Sequence, residues 1–241
     1  MMRHTQELER IKKITSNMSK TTAEKIQAVD WGKVKAISFD LDDTLWDNTG
    51  IIEKCEQELY DFLCEKHPPF GEHYSKEMVH RVSEQFVAQD VPHFDNMTTL
   101  RKAVIKHMLQ ETAGDINLVN QAFAIFYYWR NQIQIPEITY TLLEKLKSRY
   151  SLFAVSNGNS NLYWLGLMGY FEKHYIAGVD GRAKPSAEML HKVCDLKHIE
   201  PQELLHIGDN HDTDIQSSIN ADCQHLHINF NDLPLLITGL N

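Results

Sequence analysis

Long apolar runs are missing from this 241-residue chain: none approaches the ~18 residues that cross a bilayer, which argues against a membrane partner. Met1–Lys20 also lacks the uninterrupted apolar segment of a secretory signal, being broken by Glu7, Glu9, Arg10, Lys12 and Lys13. Leu8, Ile11, Ile14 and Met18 recur there at helical spacing, so 1–30 reads as an extension, helical or flexible, lying on the main domain. Cysteines are few and scattered. Cys55, Cys64, Cys194 and Cys223 form no Cys-x-x-Cys pair, which offers neither a zinc site nor a disulfide framework. A reduced, cytoplasmic compartment follows as the expectation. Positive charge is short as well. With a net charge of −9, no broad basic surface can track nucleic-acid phosphates, and any phosphate must be held by a local site.

What is present fits one α/β domain with an inserted subdomain. The 42% hydrophobic and 24% charged content is ordinary for a globular protein. Four apolar runs read as buried parallel strands, whose two covered faces make them near-continuously hydrophobic: Val34–Phe39, Leu152–Val155, Tyr175–Ala177 and Leu204–Ile207. Gln224–Ile228 alternates polar and apolar residues and suits an edge strand. Helical patterns at Ile138–Arg149, Ser186–Leu196 and Asp214–Asn220 lie between the later strands, as in an open parallel sheet with right-handed crossovers. The stretch from 49 to 135 differs. It carries helical periodicity at Ile51–Lys66, Ser75–Gln89, Thr98–Glu111 and Asn117–Trp129, and reads as an all-helical insertion, leaving 31–48 and 136–241 to the core.

Each strand runs into polar residues. Asp40, Asp42, Asp43 and Thr44 follow the first; Ser156, Asn157 and Gly158 the second; Lys184 follows the third; Gly208 and Asp209, with Asp212 and Asp214 behind them, end the fourth. Ligands of open α/β sheets bind beyond the carboxyl ends of the strands, so these groups converge. Asp40 and Asp42, two apart on extended chain, face one side and can divide nucleophile and acid/base roles. Carboxylates facing an anionic phosphate need a hard dication between them, which suits Mg²⁺, with Asp209 as a further ligand. Lys184 offers a point positive charge to phosphoryl oxygens, and Ser156 with the Asn157–Gly158 turn offers donors.

These four groups resemble the motifs of the haloacid dehalogenase superfamily, specifically its phosphatases. Phe39–Leu45 resembles the first motif, Ser156 the second, Lys184 the third, and Gly208 through Asp214 the acidic fourth. The resemblance runs from about Val34 to Asn229 and implies a Rossmann-like core with a helical cap. It also implies a Mg²⁺-dependent phosphomonoester hydrolase acting on a small phosphorylated metabolite. Asp40 would attack phosphorus. Asp42 would protonate the leaving oxygen and then activate water, its backbone carbonyl joining Asp40 and Asp209 as metal ligands. Asp214 would steady Lys184 or a metal-bound water, Thr44 would position the loop, and Asp43 stays outside the ligand set. Phe39–Asp47, Tyr128–Arg130, Ser156–Asn159, Gly169–Glu172 and Gly181–Pro185 further resemble bacterial phosphatases acting on flavin mononucleotide and on 5-amino-6-(5-phospho-D-ribitylamino)uracil, and so riboflavin biosynthesis.

Plainer readings stand beside these. Asp40 and Asp42 also suit a helix N-cap, Ser156–Gly158 an ordinary turn, and Lys184 a surface position. Asp212 reads as a solvated loop acid. Among the thirteen histidines, His206 sits inside a strand run, His225 and His227 on the edge strand are expected to point outward, and His211 lies beside Asp209. None is assigned a metal. Trp129 and Arg130 could stack on or hydrogen-bond a flat heterocycle, or Trp129 could be insertion core; Arg101 is a further candidate. Three rival functions remain: a haloacid dehalogenase, against which Asp42 argues; a phosphomutase; and a non-catalytic binding module.

Overall fold

The structure, a computed structural model, describes residues 21–88 and 95–240. The helical pattern expected in Met1–Lys20 lies outside them. Five parallel strands form one sheet: β1 Ala36–Phe39, β2 Ser151–Ser156, β3 Lys173–Ile176, β4 Leu204–Gly208 and β5 Gln224–His227. Their order is β3-β2-β1-β4-β5, which puts β5 at an edge and the switch in chain direction at β1. The third strand begins earlier than its apolar run suggests, because Lys173 and His174 pair with Phe153 and Ala154 of β2.

Strand periodicity sorts side chains onto two cores. Ile37, Phe39, Leu152, Ala154, Leu205 and Ile207 join one, with Leu142, Leu143 and Leu146 of helix Glu137–Lys147. Ala36, Phe153, Val155 and Leu204 join the other, with Met189, Leu190 and Val193 of helix Glu188–Lys197. Ser38 and His206 are register partners on that second face, and their side chains bond each other at 2.9 Å. A buried polar pair thus interrupts an apolar layer directly beneath the site.

Two short helices escape the hydrophobic pattern. Pro68–His73 opens on prolines, which reads as a break in sequence, yet proline is tolerated where the first helical N–H needs no partner. Leu233–Gly239 follows a capping box between Asn229 and Asp232 and buries Leu233 and Leu236. Helix Thr22–Ala28, capped by Thr21 and Glu24, places Ile26 in the same apolar cluster.

Between β1 and β2 lie helices Ile51–Lys66, Lys76–Val87, Met97–Glu111 and Leu118–Arg130. They enclose an apolar cluster of their own. Cys55, Leu59 and Leu63 recur every four residues along the first, and meet Ile105, Met108, Leu109, Ala122 and Phe126.

His174 on β3 has a buried Nε2 without a hydrogen-bond partner. Burial pushes its pKa down to about 4. The unfolded chain takes up a proton below about pH 6.5 that the folded chain refuses, so stability falls from there down towards the folded value. We expect urea unfolding to lose about 1–2 kcal/mol between pH 7.5 and pH 5 through this group, and a His174→Leu variant to lose correspondingly less. An equal loss in both proteins would exonerate His174.

Candidate active site

The parallel register explains why the polar residues meet. Phe39 pairs with Ala154 on one side and Ile207 on the other, so the chain leaves β1, β2 and β4 at one level. Asp40 stays tied to β4 by its N–H, which donates to the Ile207 carbonyl at 2.9 Å.

Lys184 is the centre. Its side chain is 1% exposed, and Nζ donates to Asp40 Oδ1 and Asp214 Oδ1 at 2.6 Å each and to the Val155 carbonyl at 2.8 Å. Burial pulls the lysine pKa down, but the charges of Asp40 and Asp214 outweigh it and raise it. Burial pushes Asp214 up, yet the charge of Lys184 and the bond from His206 overcome this and hold it low. Asp214 approaches this closely because residue 208 is glycine: a Cβ there would collide with the Asp214 carboxylate.

Asp40 differs from Asp214. Burial raises it to about 7, against the pull of Lys184 and with Asp214 and Asp42 adding repulsion. Asp209 is raised by burial too. Both are carboxylates short of positive charge. Asp40, Asp209 and Asp214 each offer an oxygen within 4.8 Å of the others. Asp40, Asp42, Asp209 and Asp214 face two cations, Lys184 and Arg130, which leaves a deficit that one hard dication on oxygen ligands would fill. The donor set therefore fits Mg²⁺.

The other sequence-assigned residues take definite places. Thr44 is buried, and its hydroxyl donates to Asp209 Oδ1 at 2.9 Å. Ser156 is buried at the end of β2, its Oγ accepting from the Gly158 N–H at 2.9 Å. The Asn157 side chain turns to the lysine loop, accepting from Lys184 N at 2.8 Å and donating to Lys184 O at 2.9 Å. Asp43 has φ 58, a left-handed conformation that aspartate tolerates, and accepts from the Asn48 N–H. Asp212 is exposed.

At the insertion, Arg130 is buried and its guanidinium pairs with Asp42 Oδ2, with Asn48 Oδ1 at 3.4 Å. Trp129 is half-buried against the insertion's apolar cluster, with Lys54 Nζ 4.6 Å above its ring. Arg101 turns to Glu56 at 2.9 Å and lies over Phe126, lining a 450 Å³ cavity with Ile52 and Leu100. It does not join the acidic cluster.

Sequence reasoning missed three contacts. Trp46 Nε1 donates to Asp42 Oδ1 at 3.0 Å. His206, bonded to Ser38, reaches Asp214 Oδ1 at 3.4 Å. His227 lies within 2.7 Å of the Asp209 carbonyl through Nε2, so it faces the site loop while His225 is exposed. Only the strand register, which sets His206 opposite Ser38, could have hinted at any of them.

Fold and site define a class: a Rossmann-like α/β hydrolase with a helical insertion after its first strand. The model of the haloacid dehalogenase-like hydrolases matches residues 34–222, and the chain belongs to that family. The family is one of hydrolytic enzymes, and named relatives of the chain include phosphatases. It is 29% identical over 198 residues to the Escherichia coli 5-amino-6-(5-phospho-D-ribitylamino)uracil phosphatase YigB, covering 80% of this chain and 82% of that one. To the Rattus norvegicus N-acylneuraminate-9-phosphatase it is 24% identical, covering 78% and 79%. Its fold is similar to the crystal structure of a 2-haloacid dehalogenase from Pseudomonas syringae pv. Tomato DC3000, with TM-score 0.74, 26% identity, and 86% and 100% of the two chains covered. Among the described residues, no helix is long and apolar enough to cross a membrane.

A cation test follows from the charge deficit. Saturating Mg²⁺ should raise the melting temperature by about 5 °C. Asp209→Asn should lose most of that shift, and exposed Asp212→Asn should keep it. A shift unchanged in Asp209→Asn, read by scanning calorimetry, would remove that residue from the ligand set.

Proposed function

We propose that the chain hydrolyses a small phosphomonoester through an aspartyl-phosphate on Asp40. The observation that carries this reading is the buried Lys184 bonded to Asp40 beside a second, independently held acid, Asp42. Lys184 neutralises the approaching phosphoryl oxygens and keeps the Asp40 carboxylate aimed. Asp40 forms the new bond to phosphorus while the bond to the leaving oxygen breaks, and Asp42 gives that oxygen a proton. Asp42 then takes a proton from water, whose oxygen attacks phosphorus and releases Asp40 with inorganic phosphate. Asp40, Asp209 and the Asp42 carbonyl would hold Mg²⁺, which supplies charge for the developing phosphoryl anion. Asp214 orients Lys184, Thr44 orients Asp209, Ser156 and the Asn157–Gly158 turn present donors to the phosphate, and 49–135 acts as the cap.

For the substrate we favour flavin mononucleotide or 5-amino-6-(5-phospho-D-ribitylamino)uracil, supported by the likeness to the E. coli phosphatase. Arg130, which links the cap to Asp42, would meet the substrate, and Trp129 beside it in the chain is a weaker candidate. We place the reaction in a reducing, cytoplasmic setting, where the four free cysteines stay thiols. The dehalogenase neighbour supports one second reading, attack on carbon. Displacing halide needs no proton donor, so the acid half of the role given to Asp42 would go unused in it.

The deciding experiment is phosphate release across a panel of phosphorylated metabolites, with Mg²⁺ and with chelator, alongside halide release from a 2-haloacid. Phosphate should appear, and Asp40→Asn should lower its rate by roughly 10³ or more. Normal turnover by Asp40→Asn would end the nucleophile assignment, and an isomerised phosphoester among the products would indicate a mutase. Arg130→Met should change relative rates across the panel by roughly tenfold. Rates lowered equally for every substrate would take substrate choice away from Arg130.

A further inference from the structure

One acid at the lysine loop comes from outside the core. Asp95 precedes helix Met97–Glu111 of the insertion, yet its Oδ2 accepts from Arg182 Nε at 2.5 Å and from Ala183 N at 3.2 Å. Its side chain is 13% exposed, so salt screens the pair only in part. The surrounding fit is close. Gly178 has φ 71, and a Cβ there would run into the Asn96 backbone. Asn159 Nδ2 donates to Thr98 Oγ1 at 3.2 Å. Residues 95–98 are thus seated against both the loop after β3 and the turn after β2.

Ala183 is the residue before Lys184. The two peptides that flank Lys184 are clamped through Lys184 N and Lys184 O by Asn157, which belongs to the core. The next peptide back, between Arg182 and Ala183, is clamped by Asp95, which belongs to the insertion. Any motion that lifts the insertion breaks the second clamp and leaves the first.

We propose that Asp95 is a positioning residue that makes the placement of Lys184 depend on seating of the helical insertion. This rests on the assignment of Lys184 to the phosphoryl site. Seated, the Asp95 carboxylate fixes the Ala183 peptide and Arg182, and the loop delivers Nζ to the gap between Asp40 and Asp214. Unseated, the loop keeps its Asn157 bonds, but Nζ no longer spans the two acids at a fixed distance. Asp95 touches no reacting atom, so its loss affects turnover more than binding.

The test uses the full chain, with p-nitrophenyl phosphate and Mg²⁺ for kinetics and amide hydrogen exchange over residues 178–184 for the contact. Asp95→Ala should lower kcat roughly tenfold with KM changed less than about twofold, and should speed exchange at Ala183. Asp95→Asn keeps an acceptor for the Ala183 amide and should recover most of kcat. Asp95→Ala combined with Arg182→Gln should be no slower than Asp95→Ala alone, because both remove one contact. Wild-type kcat with unchanged exchange in Asp95→Ala overturns the proposal. So does a kcat loss matched by a melting point lowered about 10 °C or more in Asp95→Ala and Asp95→Asn alike, which marks a purely structural acid. If the wild-type protein releases phosphate from nothing, the phosphatase reading fails first. Exchange then decides: faster at Ala183 supports the clamp, unchanged overturns it.

Discussion

An ammonium group with 1% of its side chain exposed, held between two carboxylates, is the constraint on which the site is built. Removing such ions from water costs several kcal/mol each, and the cost is met only where geometry and additional hydrogen bonds are both good. Each neighbouring feature can be traced to that requirement. Val155 turns its carbonyl to the lysine, glycine at 208 lets Asp214 approach, the Asn210 N–H takes the Asp214 oxygen the lysine leaves, and the His206 ring shares the other with the lysine. The polar Ser38–His206 pair inside an otherwise apolar face is the far end of the same network. Burial raises Asp40 and Asp209, with neighbouring carboxylates adding to it, while at Asp214 the charge of Lys184 and the bond from His206 overcome burial and hold it low.

Sheet topology makes the convergence possible. The chain leaves β1 for β2 on one side and later returns to β4 on the other, so the carboxyl end of β1 is flanked by two loops that point away from each other. At that opening Lys184, Asp40, Asp209 and Asp214 meet. The helical insertion enters where β1 ends, which places its last helix, ending at Arg130, directly over Asp42.

The core was legible because parallel strands buried on both faces write themselves as apolar runs, and because polar residues following such runs have one place to go. Asp40, Asp209, Asp214 and Lys184 could be brought together on that reasoning alone. Trp46 could not: an indole that bonds an acid four residues earlier looks like any apolar residue in a loop. His227 belongs to an edge strand whose alternation says which way it points, but not that the loop after β4 folds back to meet it. The turn at Asn157 reads as a source of backbone donors, but nothing in it tells that the Asn157 side chain serves the backbone of Lys184, a partner 27 residues away. Asp95 left no signal at all, since its partners come from a loop 87 residues further on.

The contact between Arg130 and Asp42 bears on the order of events. Both Asp42 oxygens are occupied, Oδ1 by Trp46 and Oδ2 by Arg130. An acid that serves the leaving oxygen needs one of them free. Trp46 sits on the same short loop as Asp42, bridged to it through the backbone, and travels with it. Arg130 comes from the insertion, so in the proposed reaction its bond is the one that would yield to an entering phosphoester. The freed guanidinium is a buried cation in need of a partner, and the arriving substrate would supply it. In the proposed reaction, recognition of the phosphoester and release of the acid are therefore the same exchange of partners, and a neutral ligand of equal shape would not drive it.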